Sequence, residues 1–200
     1  MPSTVSELLH SASLKLGGVV WWSTPVPTRM PGVYVVSLSP DPGQNNGVVA
    51  TAPINWDIVA EWIARVPTLE LDGERGPDPG RLARRIGAFW LADENVLYIR
   101  KATSLRSRVG DYYRTPLGDR RPHAGGHWIK TLSLLNETRV YFAEASDPPD
   151  AEARLMKAFI AGVSQIATRQ VRDPSRPFPF ANLEFPRGNI KNHGLSKSKI

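Results

Sequence analysis

The chain has 200 residues, 41% of them hydrophobic, and its 25 Lys and Arg outnumber its 19 Asp and Glu to give a net charge of +6. This composition excludes a disordered chain, a collagen-like rod and a coiled coil, and the length predicts one domain over residues 1–200. Because cysteine is absent, disulfides, thiolate metal sites and cysteine nucleophiles are excluded. We expect a soluble, cytoplasmic protein with no membrane partner, since the longest apolar stretch is far too short to span a bilayer.

The first half of the chain predicts a helix, a strand and two further helices. Thr4 and Glu7 have the spacing of a capping box at the start of the first helix. The β-branched run 33–38 predicts a strand. Asn55 caps the second helix, whose apolar residues recur at helical spacing, and residues 81–90 predict the third.

Two tryptophans precede the first of these strands. Trp21 and Trp22 follow a pair of glycines, and large aromatic side chains of this kind are more often core residues than ligands. We therefore expect both in the core.

The second half predicts two strands and two helices. Residues 96–100 predict a strand, and Thr103 or Ser104 caps a helix over 105–113. A loop rich in Pro, Gly and Arg follows, and then the strand predicted over 137–145.

The longest predicted helix follows this strand. We expect Asp150 to be its N-cap, and its buried stripe consists of Leu155, Phe159, Val163 and Ile166. Glu152 precedes Leu155 by three residues, so its carboxylate lies at the edge of the buried stripe. A carboxylate in that position needs a partner, which can be a metal, an arginine or a helix N-terminus.

Together these elements predict a small α/β (α+β) fold. Its central sheet has about three strands, mixed or antiparallel, because the connections lack a regular βαβ rhythm. Helices flank the sheet, a helical insertion occupies residues 40–94 or thereabouts, and a basic tail occupies about 186–200.

The positive charge is concentrated in two segments. Residues 100–130 carry eight basic and two acidic residues, and residues 175–200 carry five and one, whereas residues 35–97 have a net charge of −4. The first basic segment also contains tyrosine, histidine and tryptophan side chains. This mixture favours a surface that neutralises phosphates and stacks on bases, and an ordinary solvated basic face is the alternative.

Two strands and a helix carry a family pattern. The pattern consists of Gly32-Val33-Tyr34, Tyr98-Ile99-Arg100-Lys101-Ala102 and, on the following helix, Leu105, Arg108 and Tyr112. Apart from the insertion, it runs from Pro31 to about Asn182 and resembles the GIY-YIG nuclease family. The chain departs from that pattern in two places: 63 residues separate Tyr34 from Tyr98, and Arg100 stands where the family has glycine.

The resemblance implies a metal-dependent DNA endonuclease that hydrolyses phosphodiester bonds by water attack. Glu152 would bind one Mg²⁺ or Mn²⁺ ion, and Tyr34 would be the general base. A phenol is a poor base at neutral pH, so the pKa of Tyr34 would have to be lowered, by Lys101 or by the metal-bound water network. Arg108 would clamp the scissile phosphate.

The same resemblance implies supporting roles for three more residues. Tyr98 and Tyr112 would orient the water and the phosphate. Asn182 would anchor the substrate or the helix that carries Glu152. Whether the biological role is repair, restriction or mobile-element processing stays open.

We expect DNA to contact the basic side chains of this region, namely Arg100, Arg106, Arg114, Arg120, Arg121 and Lys130.

A catalytically inactive nucleic-acid-binding relative is the alternative that Arg100 and the insertion suggest. A protein-interaction module that uses the acidic insertion is a third interpretation, and the insertion would also be the surface for a homodimer. The spacing of His123 and His127 suits zinc on a helix, but the paired glycines between them favour a loop with structural or phosphate-contacting histidines.

Overall fold

The structure is a computed structural model of the chain, and it describes residues 3–119, 121–123 and 125–197. The α-helices of this described part are Val5–Ser11 (α1), Trp56–Arg65 (α2), Pro79–Gly87 (α3), Leu105–Arg114 (α4), Pro148–Gly162 (α5) and Gln165–Gln170 (α6). Its strands are Gly18–Trp21 (β1), Gly32–Ser37 (β2), Leu69–Leu71 (β3), Glu74–Arg75 (β4), Val96–Ala102 (β5), Arg139–Glu144 (β6) and Leu195–Lys197 (β7). Short 3₁₀ helices cover His127–Thr131 and Leu135–Glu137. None of these helices combines the length and the apolar character that crossing a membrane requires.

The main sheet has four strands in the order β1-β6-β2-β5, and every pairing is antiparallel. The predicted α/β (α+β) class is therefore confirmed, and of the two predicted sheet types, mixed or antiparallel, the main sheet is antiparallel. Strand β2 lies in the interior and pairs Tyr34 with Arg100 of β5 and with Phe142 of β6. Strand β1 was missed by the sequence analysis, because four residues at a sheet edge carry only a weak pattern of alternation.

The main sheet separates two hydrophobic layers, since successive strand residues face opposite sides. On one face Val33 and Ile99 pack against α1 and α5. On the other face Tyr34 and Tyr98 pack against α4 and against helices α2 and α3 of the insertion. The tyrosines of the family pattern thus lie on the insertion side, while the helix that carries Glu152 covers the opposite side.

The insertion and the C-terminal segment fold together. Strands β3 and β4 form a hairpin around Asp72-Gly73, both at positive φ, and β7 adds the third strand in the order β4-β3-β7. Arg85 holds the Asp72 carboxylate with two contacts of 2.9 and 2.6 Å, and the Asp72 N–H donates to Gly194 O at 2.7 Å. Helices α2 and α3 lie within the predicted insertion, and the predicted basic tail contacts this insertion through the pairing of β7 with β3.

Asp147 caps α5, and the prediction that Asp150 is the N-cap is wrong. The Asp147 carboxylate accepts from the Asp150 N–H at 3.0 Å. The two prolines after Asp147 occupy the first helical positions, where no N–H donor is needed.

Two residues predicted in the core are exposed. Helix α5 ends at Gly162, so Ile166 lies on the separate helix α6 and is 72% exposed. Trp21 lies on the edge strand β1 and is 56% exposed. The end of α5 and the edge of the sheet thus leave these two apolar side chains outside the core.

Candidate functional site

Three tyrosines of the family pattern form a buried cluster. The ring centroids of Tyr34 and Tyr98 are 6.0 Å apart, those of Tyr98 and Tyr112 are 5.4 Å apart, and those of Tyr34 and Tyr112 are 6.4 Å apart. Adjacent strands β2 and β5 supply the first two rings, and α4 places the third above them. The fold thus brings the three rings together, and their roles in orienting water and phosphate stay predictions.

A loop containing a glycine pair covers this cluster. His123 stacks on Tyr112 with a centroid distance of 4.5 Å, and the Tyr112 hydroxyl donates to Gly126 O. A Cβ atom at Gly125 would lie 2.5 Å from the Tyr98 hydroxyl oxygen, and one at Gly126 would lie 2.6 Å from that of Tyr112. Glycine is therefore required here so that the loop can approach the two phenols.

The cluster is neutral at physiological pH. Burial raises the pKa of Tyr34 well above its ordinary value and the pKa of Tyr98 to about 12. Burial also lowers the pKa of His123 to about 3. Arg108 and Arg100 oppose this shift at Tyr34, but desolvation outweighs them, so the pKa of Tyr34 is not lowered as the role of general base requires.

Glu152 is the buried carboxylate of the site, with a side chain only 9% exposed. It lies 3.3 Å from the Arg100 guanidinium and 3.4 Å from the Lys101 ammonium, and it accepts the Lys101 N–H at 3.3 Å. The expectation that this carboxylate needs a partner is confirmed, and the partners are the two cations at the end of β5. Arg100, which replaces the glycine of the family pattern, thus contacts the residue predicted to bind the metal.

As arranged, these residues do not fit a divalent cation. Mg²⁺ requires several hard oxygen ligands in near-octahedral geometry, whereas both carboxylate oxygens of Glu152 face a positive group. Within the described ranges, no three or more acidic or histidine side chains lie together to share an ion. Mg²⁺ or Mn²⁺ at Glu152 stays a prediction, and it requires the Arg100 guanidinium to leave the carboxylate.

Arg108 differs from the other cations at the site because its guanidinium has no ion pair or hydrogen bond within the described residues. It lines two clefts, of about 400 and 360 Å³, and Arg100 lines both as well. Tyr98 and Asn182 line the larger cleft, and Lys101 lines the smaller. The two guanidinium groups therefore lie where the clefts meet.

Asn182 completes the free edge of β5. Its carboxamide accepts the Ile99 N–H at 2.9 Å and donates to Ile99 O at 2.8 Å, and the Ala181 N–H donates to Leu97 O at 2.8 Å. The amide thus replaces a neighbouring strand and positions the strand that carries Tyr98 and Arg100. It contacts β5 rather than the helix of Glu152.

The remaining predicted DNA contacts are spread out. Arg106 and Arg121 are exposed, and Arg114 is exposed and pairs with Asp111 at 2.7 Å. Lys130 points inward, because its ammonium donates to Tyr112 O at 2.7 Å and to Thr115 O at the C-terminal end of α4. Arg120 lies outside the described residues.

Trp62 is a site residue that sequence reasoning missed. It lines the larger cleft, and its indole Nε1–H is buried without an acceptor in the described part of the chain. Such an unpaired donor costs about 1–3 kcal/mol. In the sequence Trp62 lies on the apolar stripe of α2 and is indistinguishable from a core residue.

Comparisons with protein-family models, curated proteins and solved structures gave no match for this chain.

Proposed function

We propose that the protein is a DNA endonuclease of the GIY-YIG kind that holds the scissile phosphate between Arg108 and Arg100. The observation that carries this proposal is the unpaired Arg108 guanidinium at the junction of two clefts. A guanidinium with no acidic partner can donate two parallel hydrogen bonds to a phosphate. Tyr98, whose ring packs against those of Tyr34 and Tyr112, lines the larger cleft together with Arg108.

In this proposal the phosphate competes with Glu152 for Arg100. The Arg100–Glu152 contact of 3.3 Å is long for a charged pair, and the Arg100 side chain is 39% exposed, so a phosphodiester can replace the carboxylate as its partner. Lys101 then remains as the positive partner of Glu152. Because the buried phenols keep their protons at neutral pH, we assign proton abstraction from water to Glu152 and not to Tyr34.

A second candidate is DNA binding without cleavage. The contact of Arg100 and Lys101 with Glu152 favours it, because the only carboxylate among the predicted site residues is already neutralised. The third interpretation, protein interaction through the insertion, has no such observation in its support. A cytoplasmic location agrees with either DNA-based function and is part of the proposal.

Incubation with supercoiled plasmid and Mg²⁺ or Mn²⁺ separates the two candidates. We expect nicking by the wild type that is lost in Arg108→Ala and Glu152→Gln, and retained in Arg187→Ala, an exposed arginine outside the predicted DNA contacts. Salt-sensitive binding with no cleavage in any metal would contradict the enzyme and support the second candidate. A chain that neither binds nor cuts DNA would overturn both.

A further inference from the structure

The larger cleft has the size and position of a ligand site that the proposed function does not yet use. Its volume of about 400 Å³ lies in the range of roughly 300–1,000 Å³ that is typical of small-ligand pockets. Its walls come from α2, the edge of β5, the glycine loop and the segment around Asn182. The Gly125 and Gly126 positions leave no room for a Cβ atom against the tyrosines.

The walls present aromatic rings and one unused donor. Trp62, Tyr98 and Trp128 line the cleft and are otherwise buried, so a base can contact only the parts of their rings that reach the cleft. Aromatic side chains are the usual stacking partners of nucleobases. The Trp62 side chain is buried, and its Nε1–H has no acceptor in the described residues. A ring nitrogen or carbonyl oxygen of a base would supply that acceptor.

The charges of the lining match a nucleotide. Arg100 and Arg108 belong both to this cleft and to the smaller one, so they offer a phosphate position at its boundary. Asp119 and Glu184 also line the cleft. Asp119 pairs with Arg65 at 3.2 Å and Glu184 accepts from the Gly188 N–H, and each carboxylate can accept a further hydrogen bond from the exocyclic amino group of a base. A purely phosphate-binding groove would not gain from carboxylates in its walls.

We infer that the cleft receives a single unpaired nucleotide of DNA, with its base against Trp62 and its phosphate at Arg100 and Arg108. A base within a continuous duplex is stacked on both faces and paired along its edge, so it can enter a cleft only after leaving the stack. The inference rests on the proposed function in that it takes DNA as the ligand. It adds a substrate class, which is duplex with an unstacked nucleotide.

Binding to two matched duplexes tests this inference. One duplex is fully paired and the other has a single unpaired 5-iodouracil, and both are titrated by fluorescence anisotropy in EDTA to prevent cleavage. We expect about tenfold tighter binding of the second duplex, which lies within the effect of one base–aromatic stack. Irradiation should cross-link the iodouracil to Trp62, Tyr98 or Trp128, as read by peptide mass spectrometry.

Two variants and a control test whether the larger cleft causes the tighter binding of the duplex with the unpaired nucleotide. Trp62→Phe removes the N–H and keeps an aromatic ring, and Leu195→Trp narrows the cleft, since Leu195 belongs to its lining. Trp62→Phe should lose the part of the preference that the N–H supplies, and Leu195→Trp should lose most of the preference, while both variants bind the paired duplex as before. Trp56→Phe, an exposed position on the same helix, should keep it, and thermal melts monitored by circular dichroism confirm folding.

Equal affinity for the two duplexes, or cross-links outside the cleft, would overturn the inference and leave the endonuclease proposal intact. A preference that survives both Trp62→Phe and Leu195→Trp would also overturn it. Failure of the wild type to bind either duplex would instead remove the proposed function.

Discussion

The cations near residues 100–108 and those near residues 176–191 differ in what their charged groups contact. Arg108 has no acidic partner in the described residues, and Arg100 shares a carboxylate with Lys101 while remaining 39% exposed. Arg176 and Lys191, in contrast, have partners within the C-terminal segment. Net charge alone does not distinguish the two segments, since both are basic.

The Lys191 ammonium is buried and makes all of its hydrogen bonds within the fold. It is 3% exposed, and its ammonium donates to the carbonyl oxygens of Phe178, Pro179 and Phe180 at 3.2, 3.0 and 3.2 Å. Burial lowers the pKa of Lys191 to about 7. The fold thus engages Arg176 and Lys191, whereas the Arg108 guanidinium is left for a ligand, so we expect the first segment to bind phosphate and these two cations of the second segment to hold the fold together.

The largest expected effect is on stability and comes from Lys191→Ala. The change leaves three buried carbonyls without their donor and opens a cavity, so we expect a loss of about 2–4 kcal/mol in the free energy of unfolding. Urea denaturation measures it. The affinity of the folded variant for DNA should be unchanged, and a weakened affinity with unchanged stability would reverse the roles of the two segments.

Arg108→Ala should have the next largest effect, this time on DNA. Loss of charge-assisted hydrogen bonds of about 1.5–3 kcal/mol corresponds to a roughly 10- to 150-fold weaker affinity. The slope of log Kd against log salt should also fall by about one unit. Anisotropy titrations at several salt concentrations measure both.

The matched control for that variant is Arg187→Ala, an exposed arginine in the second basic segment. Its affinity and salt slope should equal those of the wild type. An equal loss in both variants would mean that the two segments contribute alike.

Arg100→Ala should weaken DNA binding only several-fold, because Arg100 exchanges one anionic partner for another when it binds phosphate. The same change leaves Glu152 with Lys101 alone, so we expect Mn²⁺ binding that the wild type lacks in the absence of DNA. Isothermal titration with Mn²⁺ measures it. The double variant Arg100→Ala/Glu152→Gln should lose the gained binding, and a variant that binds no Mn²⁺ would show that Arg100 does not exclude the ion.

The last prediction concerns the pH dependence of stability. The folded-state pKa of Lys191 is about 7, below its ordinary value of 10.5, so the unfolded chain binds more protons between these two values. The free energy of unfolding should therefore fall as the pH drops from about 10.5 to about 7. Lys191→Met should show a shallower slope over that window in urea denaturation, and an unchanged slope would place the titrating group elsewhere.

The local elements of this protein were predictable because neighbouring residues determine them. The Thr4–Glu7 capping box is present, the Asn55 side chain accepts from two N–H groups at the start of α2, and β2 and β5 lie where the β-branched runs are. Arg108 and Tyr112 are on one helix, as their spacing of four residues indicates. The Asp72-Gly73 hairpin was missed although this dipeptide is a typical signal for such a turn.

Contacts between distant parts of the chain decided the remaining features. Glu152 contacts Arg100, 52 residues away, and Asn182 completes β5 from 83 residues away. The residues next to each partner in the sequence do not indicate either contact. The sequence alone thus determined the helices, the two motif strands and the residue types at the site, since these depend on local propensity and periodicity. Only the tertiary structure decided which cations stay unpaired and which phenols keep their protons, because burial and ion pairing depend on what the fold brings together.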